Sequence, residues 1–184
     1  SSNSFPIVKP FPMPSWVSAV RAVSQGLGVL SALLILVSVL VVCHMVFVRA
    51  VLGQSSIWQT EFATFCVLGA TFLGAPYILL TRGHVNVDLL PIMCAGKLRR
   101  TLYFLSTSIA LAFCLIFLYA SIPWCYEAWE IGLTTASIWR VPLWIPYLSV
   151  PIGLGLLCLQ FIADAWLVII GYEEPFGLEP GVHV

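Results

Sequence analysis

The chain has 184 residues, of which 60% are hydrophobic and only 9% are charged, and its formal net charge is zero. A soluble domain carries about 25% charged residues, so this composition excludes a water-soluble globule and predicts a protein that lies mostly in lipid. The zero net charge provides no field that would attract nucleic acid, and we expect no nucleic-acid partner.

The first apolar segment covers residues 26–48 without a charge and is closed by Arg49. At about 1.5 Å per residue it is long enough to cross about 30 Å of hydrocarbon, and it is too long for a signal peptide. We therefore expect it to stay in the mature chain as the first transmembrane helix. Residues 1–25 are predicted to form a cytoplasmic or interfacial segment before it.

Three further apolar segments follow at residues 57–80, 101–126 and 144–171. The four runs are apolar on every side, whereas a barrel strand alternates lipid-facing and lumen-facing residues. A helix also satisfies its own backbone hydrogen bonds in hydrocarbon. The predicted fold is therefore an all-α integral membrane protein, with a four-helix membrane domain at residues 26–171 and an acidic cytoplasmic tail at residues 172–184.

The loop between the second and third segments is predicted to carry a short interfacial helix on the cytoplasmic face of the membrane. Asp88 is placed to cap a helix that begins at Leu89, with Pro91 in its first turn. The apolar side chains of this helix would enter the membrane interface, while Arg99 and Arg100 would face lipid phosphates.

The same loop contains Arg82, Gly83 and His84, and His84 precedes Asp88 by one helical turn if the stretch is helical. A metal site would need further ligands, which this stretch lacks. We expect a local hydrogen bond or ion pair among these side chains that orders the loop.

The basic residues predict the orientation of the chain. With four crossings, both termini and the middle loop share one side, and the opposite side holds only Arg49 and Arg140. The shared side carries the other basic residues, which are Lys9, Arg21, Arg82, Lys97, Arg99 and Arg100. The positive-inside rule therefore predicts that both termini are cytoplasmic.

Three ionisable residues inside the apolar segments are functional candidates, because burying such groups is costly. Glu61 lies near the start of the second segment, where the helix dipole favours a carboxylate; a polar contact to another subunit and a proton-coupling role are the alternatives. Asp164 is expected to snorkel or to pair with a cation such as Arg99 or Arg100. His44 is expected to be a buried hydrogen-bonding side chain.

No enzyme is predicted, because the sequence contains no nucleophile paired with a base, no phosphate-binding loop and no metal-ligand spacing. One rival interpretation is a haem- or quinone-binding redox subunit. Haem ligation between helices needs paired histidines, however, and His44 is the only histidine in a helical run. The other rival is a stand-alone four-helix transporter that uses Glu61 as its proton- or ion-coupling carboxylate.

Several short fragments occur in an order and spacing typical of one family. They are Trp58-Gln59-Thr60-Glu61, Leu68-Gly69-Ala70, Arg82-Gly83-His84-Val85-Asn86-Val87-Asp88-Leu89-Leu90, Arg99-Arg100 and Pro142-Leu143-Trp144-Ile145-Pro146-Tyr147. Together they resemble the small membrane subunit of tripartite ATP-independent periplasmic (TRAP) transporters, and the resemblance extends over roughly Gly26 to Gly171. One departure is that the family often has two acids after the tryptophan, whereas Glu61 stands alone.

The resemblance implies a subunit of a larger complex in the bacterial inner membrane. A large permease subunit would carry the substrate and sodium sites, and a soluble periplasmic binding protein would deliver an organic acid. This chain would be a scaffold beside the large subunit, in contact with membrane lipids and without a cofactor of its own.

Two sets of site residues follow from this interpretation. Small residues let helices approach closely. These residues could pack within this bundle or against a partner, and both alternatives are open. The candidate interface or structural residues are Trp58, Glu61, Gly69, Gly74, Arg82, Gly83, His84, Asp88, Arg99, Arg100, Trp144, Pro146 and Asp164. The candidate docking residues for the binding protein are Glu127, Glu130 and Arg140.

Overall fold

The computed structural model describes residues 14–54, 57–81 and 97–170. These residues form four helices and no β-strand: α1 (Ser15–Leu52), α2 (Trp58–Leu80), α3 (Lys97–Glu130) and α4 (Trp144–Ile170). All four are long and apolar enough to cross a membrane, which confirms the predicted all-α transmembrane fold. The predicted interfacial helix and both terminal segments outside these ranges lie beyond the described residues.

Two of the helices are longer than the apolar runs from which they were predicted. α1 has 38 residues and α3 has 34, which correspond to about 57 and 51 Å against a hydrocarbon core of about 30 Å. α1 begins at Ser15 rather than near residue 26 because its first turns pack against α4. Val17 is buried there in a cluster with Ala163 and Leu167.

α1 lies antiparallel to α2, and three buried serines, Ser24, Ser31 and Ser38, mark its inward face. Successive serines are two helical turns apart, so their side chains lie on one side of the helix. Ser31 Oγ donates to the Ala70 carbonyl at 2.7 Å, and Ser38 Oγ donates to the Ala63 carbonyl at 3.4 Å. These bonds join the two helices over several turns.

α2 and α4 form the centre of the bundle. In the most apolar stretches of α2 and α4, 33% and 44% of the residues are buried, against 11% in α1 and 6% in α3. α1 packs on α2 and on part of α4, and α3 packs on α4. The outward faces of α1 and α3 are therefore apolar, and no other described helix covers them.

The two ends of the bundle carry different features. The hairpin side is the end at which α1 stops, α2 begins and the loop 131–143 joins α3 to α4. The terminal side is the opposite end, at which α1 begins and α2 and α4 stop. On the hairpin side, Gly53 ends α1 in the left-handed conformation, with φ of 62°, and Arg49 in the last turn complements the helix dipole.

Candidate functional site

A hydrogen bond on the hairpin side fastens the loop 131–143 to α2. Glu61 stands in the first turn of α2, and its Oε2 accepts a hydrogen bond from Ser137 Oγ at 2.8 Å. Ser137 Oγ also accepts the main-chain N–H of Trp139 at 3.3 Å and lies 3.2 Å from Thr135 Oγ1. Glu61 is therefore held at a helix N-terminus by the chain's own loop, where the helix dipole also favours its charge.

Aromatic rings surround this hydrogen bond. The Trp139 ring lies 6.1 Å from the Trp58 ring in an edge-on arrangement and 6.2 Å from the Phe62 ring. Where the loop leaves α3 and enters α4, Trp129 and Trp144 pack edge to face at 4.8 Å. Tryptophans gathered at one end of a helical bundle are typical of a membrane–water interface.

The three predicted docking residues lie on the hairpin side, and all three are exposed. Glu127 and Glu130 lie in the last turns of α3, and Arg140 lies in the loop. Arg140 has φ of 46°, in the left-handed region that residues with a side chain rarely adopt. All three side chains are accessible from this side, and their role in docking stays a prediction.

His44 and Gln59 form a polar pair between α1 and α2. The Gln59 amide nitrogen lies 2.9 Å from His44 Nδ1, and Gln59 itself is only 2% exposed. The sequence predicted a buried hydrogen-bonding histidine; the structure has the hydrogen bond but leaves the ring exposed on the surface of the bundle. The ring is exposed because α2 covers a single face of α1.

A second polar cluster lies towards the terminal side, between α1 and α4. Asp164 Oδ1 accepts a hydrogen bond from Gln160 Nε2 at 2.9 Å and lies 3.7 Å from Arg21 Nη2. Gln160 Oε1 in turn accepts from Ser24 Oγ at 3.2 Å. The Arg21 and Asp164 side chains are each 21% exposed, so the pair is largely shielded and the cluster ties the start of α1 to α4.

The sequence had proposed Arg99 or Arg100 as the cation beside Asp164, and the structure places Arg21 there. Arg100 is exposed on α3, and its guanidinium lies 5.9 Å from the centre of the Phe104 ring. The side chain of Arg99 lies outside the described residues. Hydropathy did not place Arg21 near Asp164, because it stopped the first helix short of this residue.

Glycines on α2 and α4 allow close helix packing within the bundle. A Cβ at Gly74 would meet Ser31 Oγ of α1 at 2.6 Å, and a Cβ at Gly153 would collide with the main-chain carbonyl of Phe72. A Cβ at Gly69 would meet one leucine of α1 at 3.4 Å, an ordinary van der Waals contact. Gly74 and Gly153 are therefore needed where their helices touch.

The remaining predicted site residues divide into two groups. Pro146 is buried in the first turn of α4, where the missing N–H of proline costs no intrahelical hydrogen bond. Trp144 opens the same helix. The loop candidates lie outside the described residues: Arg82, Gly83, His84 and Asp88.

Two apolar grooves border the hairpin-side half of α3. The larger, of about 430 Å³, lies between α2, α3 and α4 and includes Trp124 and Tyr147 in its wall. The smaller, of about 340 Å³, includes Trp129 and Trp144. Among the described residues, no three His, Cys, Asp or Glu side chains come together as metal ligands would. Grooves lined by apolar side chains suit the packing of other apolar groups rather than catalysis.

The sequence did not predict the hydrogen bonds that Gln59, Gln160 and the three serines of α1 make between helices. Gln59 and Gln160 are 2% and 0% exposed, and both make hydrogen bonds to another helix. Ser24, Ser31 and Ser38 were a readable signal, because their seven-residue spacing repeats on one helix face. The glutamines had no local signal, because their partners are remote in sequence.

The sequence of the chain is similar to sequences of known transporter subunits. The sequence profile of the family described as tripartite ATP-independent periplasmic transporters, DctQ component, matches residues 38–171. A C4-dicarboxylate TRAP transporter small permease protein from Vibrio cholerae serotype O1 is 26% identical over 149 residues, with 68% of this chain and 63% of that protein covered. The chain thus spans less than two thirds of the length of that relative.

Proposed function

The chain belongs to the DctQ-component family of tripartite ATP-independent periplasmic transporters, as its sequence resemblance predicted, and we propose that it scaffolds the large permease subunit of such a transporter. The family is one of transporter subunits and not of enzymes. In this proposal the complex takes up an organic acid, delivered by a periplasmic binding protein and driven by sodium, across the bacterial inner membrane. The hairpin side faces the periplasm and both termini face the cytoplasm.

The uncovered apolar surface of α1 and α3 carries this proposal. Only 11% and 6% of the residues in their most apolar stretches are buried, so both helices offer long apolar faces to a neighbour. Two polar pairs near the ends of the bundle, Glu61–Ser137 and Arg21–Asp164, are meanwhile formed within the chain. Such a surface can face lipid or another membrane protein, and membership of a family of transporter subunits favours a protein neighbour.

The substrate class and the docking surface are each supported by a separate observation. The relative from Vibrio cholerae is described as part of a C4-dicarboxylate transporter, which favours an organic acid as the cargo of the complex. Glu127, Glu130 and Arg140 are exposed on the side proposed to be periplasmic, where a binding protein would arrive. Charge reversal at all three positions should weaken docking of the binding protein, as measured by surface plasmon resonance on the reconstituted complex.

Co-purification tests the scaffold role. The chain is tagged and expressed with its candidate large permease subunit, and the particle extracted in mild detergent is weighed by native mass spectrometry. A stable one-to-one complex is the expected result. A chain that purifies alone or as a homo-oligomer, under conditions that preserve other membrane complexes, would contradict the proposal.

A further inference from the structure

α1 extends beyond α2 on the hairpin side. The two helices lie side by side, with Ser38 bonded to Ala63 and, nearer this end, His44 paired with Gln59. α2 begins one residue before Gln59, whereas α1 continues for two more turns past His44 and ends at Leu52. The last two turns of α1 therefore project about 10 Å past the start of α2.

The projecting turns are apolar and exposed. Val46, Phe47, Val51 and Leu52 are 57%, 61%, 62% and 59% exposed. On the terminal side α1 also passes the end of its neighbour, but there Val17 is fully buried against α4. Within the described residues, the long first helix is thus covered at one end and exposed at the other.

The start of α2 marks the level of the membrane surface. α2 has 23 residues, or about 35 Å, which leaves little length beyond a hydrocarbon core of about 30 Å. Trp58 and Trp139 pack together at this level, as aromatic residues do at the interface. The projecting turns of α1 therefore stand among and above the lipid headgroups, where an exposed apolar patch marks a protein contact.

His44 adds a hydrogen-bond donor to this surface. An amide nitrogen only donates, so His44 Nδ1 accepts in this contact and the N–H of the ring is at Nε2, on the far side of the ring. Among the described residues, no acceptor bonds to Nε2. Exposed hydroxyl groups such as those of Thr64 and Thr71 donate their hydrogen bonds to carbonyls of their own helix. The His44 ring does not, because it bonds to Gln59 of the neighbouring helix.

We propose that the face of α1 formed by His44, Phe47 and Val51 is a permanent contact surface for the large permease subunit. These residues share one face because they are spaced by three and four positions. Apolar side chains of the partner cover Phe47 and Val51, and an oxygen of the partner accepts the Nε2–H of His44. This inference rests on the proposed scaffold function and names the side of the chain that carries it out.

The composition of the face favours the large subunit over the binding protein. A binding protein docks and leaves, and transient interfaces are about as polar as the rest of a protein surface. Permanent interfaces are more apolar, because they are never exposed to water. The projecting turns contain one charged residue, Arg49, among large apolar side chains, which suits a partner that stays in place.

Two substitutions of equal exposure test the surface in the co-expressed complex. Val51→Lys places a charge in the proposed contact, whereas Ile131→Lys changes a residue that is 63% exposed on the same side but follows α3. Val51→Lys should lower the amount of large subunit that co-purifies with the tagged chain by at least about fivefold, and Ile131→Lys should change it by less than about twofold. Equal losses in both variants would overturn the proposal.

A photo-crosslinking amino acid at Phe47 reports the neighbour without relying on a disruptive change. The expected product is an adduct with the large subunit; an adduct with the binding protein, or with lipid alone, would overturn the proposal. His44→Phe keeps an aromatic ring but removes both the Nε2–H donor and the Nδ1 atom that bonds to Gln59, and it should lower retention of the large subunit by about threefold. If the unsubstituted chain forms no complex at all, the scaffold function itself fails, which separates that outcome from a misplaced contact face.

Discussion

Glu61 is the residue on which the scaffold and the stand-alone transporter differ most. Its carboxylate accepts a hydrogen bond from Ser137, and the side-chain oxygen of glutamine accepts the same bond. Glu61→Gln in the assembled complex should therefore leave substrate uptake into proteoliposomes within about twofold of the unsubstituted complex. If Glu61 were a coupling carboxylate, uptake would instead be lost in this variant, because glutamine does not titrate.

The matching control is the purified chain alone in liposomes, with and without the same substitution. We expect neither preparation to move protons, sodium or organic acids. Flux through the lone chain that disappears on Glu61→Gln would establish the transporter interpretation and refute the scaffold.

Asp164 and Arg21 provide a residue-level test of the polar cluster between α1 and α4. Asp164→Ala leaves Arg21 and Gln160 without their shared acceptor, and it should lower the free energy of unfolding by about 1–3 kcal/mol. Arg21→Ala added to this variant should cost less than it does alone, because the partner charge is already gone. Unfolding of the detergent-solubilised chain measures all three variants, and strictly additive losses would contradict the pairing.

At the scale of elements, the crossing of α2 and α4 depends on Gly153. A Cβ at this position collides with the main-chain carbonyl of Phe72. A main-chain atom within a helix cannot rotate away as a flexible side chain could. Gly153→Ala should therefore destabilise the bundle by about 1–3 kcal/mol, as measured by thermal unfolding in detergent.

Gly155, two residues further along the same helix, is the matched control. A Cβ there meets nothing within 4 Å, so Gly155→Ala should be neutral or stabilising by up to about 1 kcal/mol through its better helix propensity. Similar melting temperatures for the two variants would mean that α2 and α4 do not approach as closely as this packing requires.

At the scale of the whole molecule, the even number of crossings predicts that both termini lie on the same side of the membrane. Both termini should lie in the cytoplasm, because six of the eight basic residues lie on their side. A fluorescent protein that matures only in the cytoplasm should fluoresce when it is fused after Val184. Alkaline phosphatase, which is active only in the periplasm, should be active when it is inserted between Ala136 and Ser137. The opposite pattern of activities would invert the orientation.

The sequence alone determined how many times this chain crosses the membrane and to which family it belongs. Four apolar runs, each long enough to cross the hydrocarbon, predict membrane-spanning helices, and the fragments around Glu61 and Trp144 identify the family without any knowledge of packing. In a soluble helix an amphipathic stripe also shows which face turns inward. Lipid is as apolar as the interior of the bundle, so these helices carry no such stripe, and only the three serines of α1 indicated a face.

The tertiary structure decided which residues meet. It joined Arg21 to Asp164 and Glu61 to Ser137, pairs that are far apart in sequence and that depend on helix order and register. It also showed that α1 extends past α2 at both ends and that, among the described residues, one of these ends packs on α4 and the other is exposed. The reason is physical: hydropathy measures the preference of each residue for lipid over water, whereas a contact depends on the relative position of two helices, which no single segment encodes.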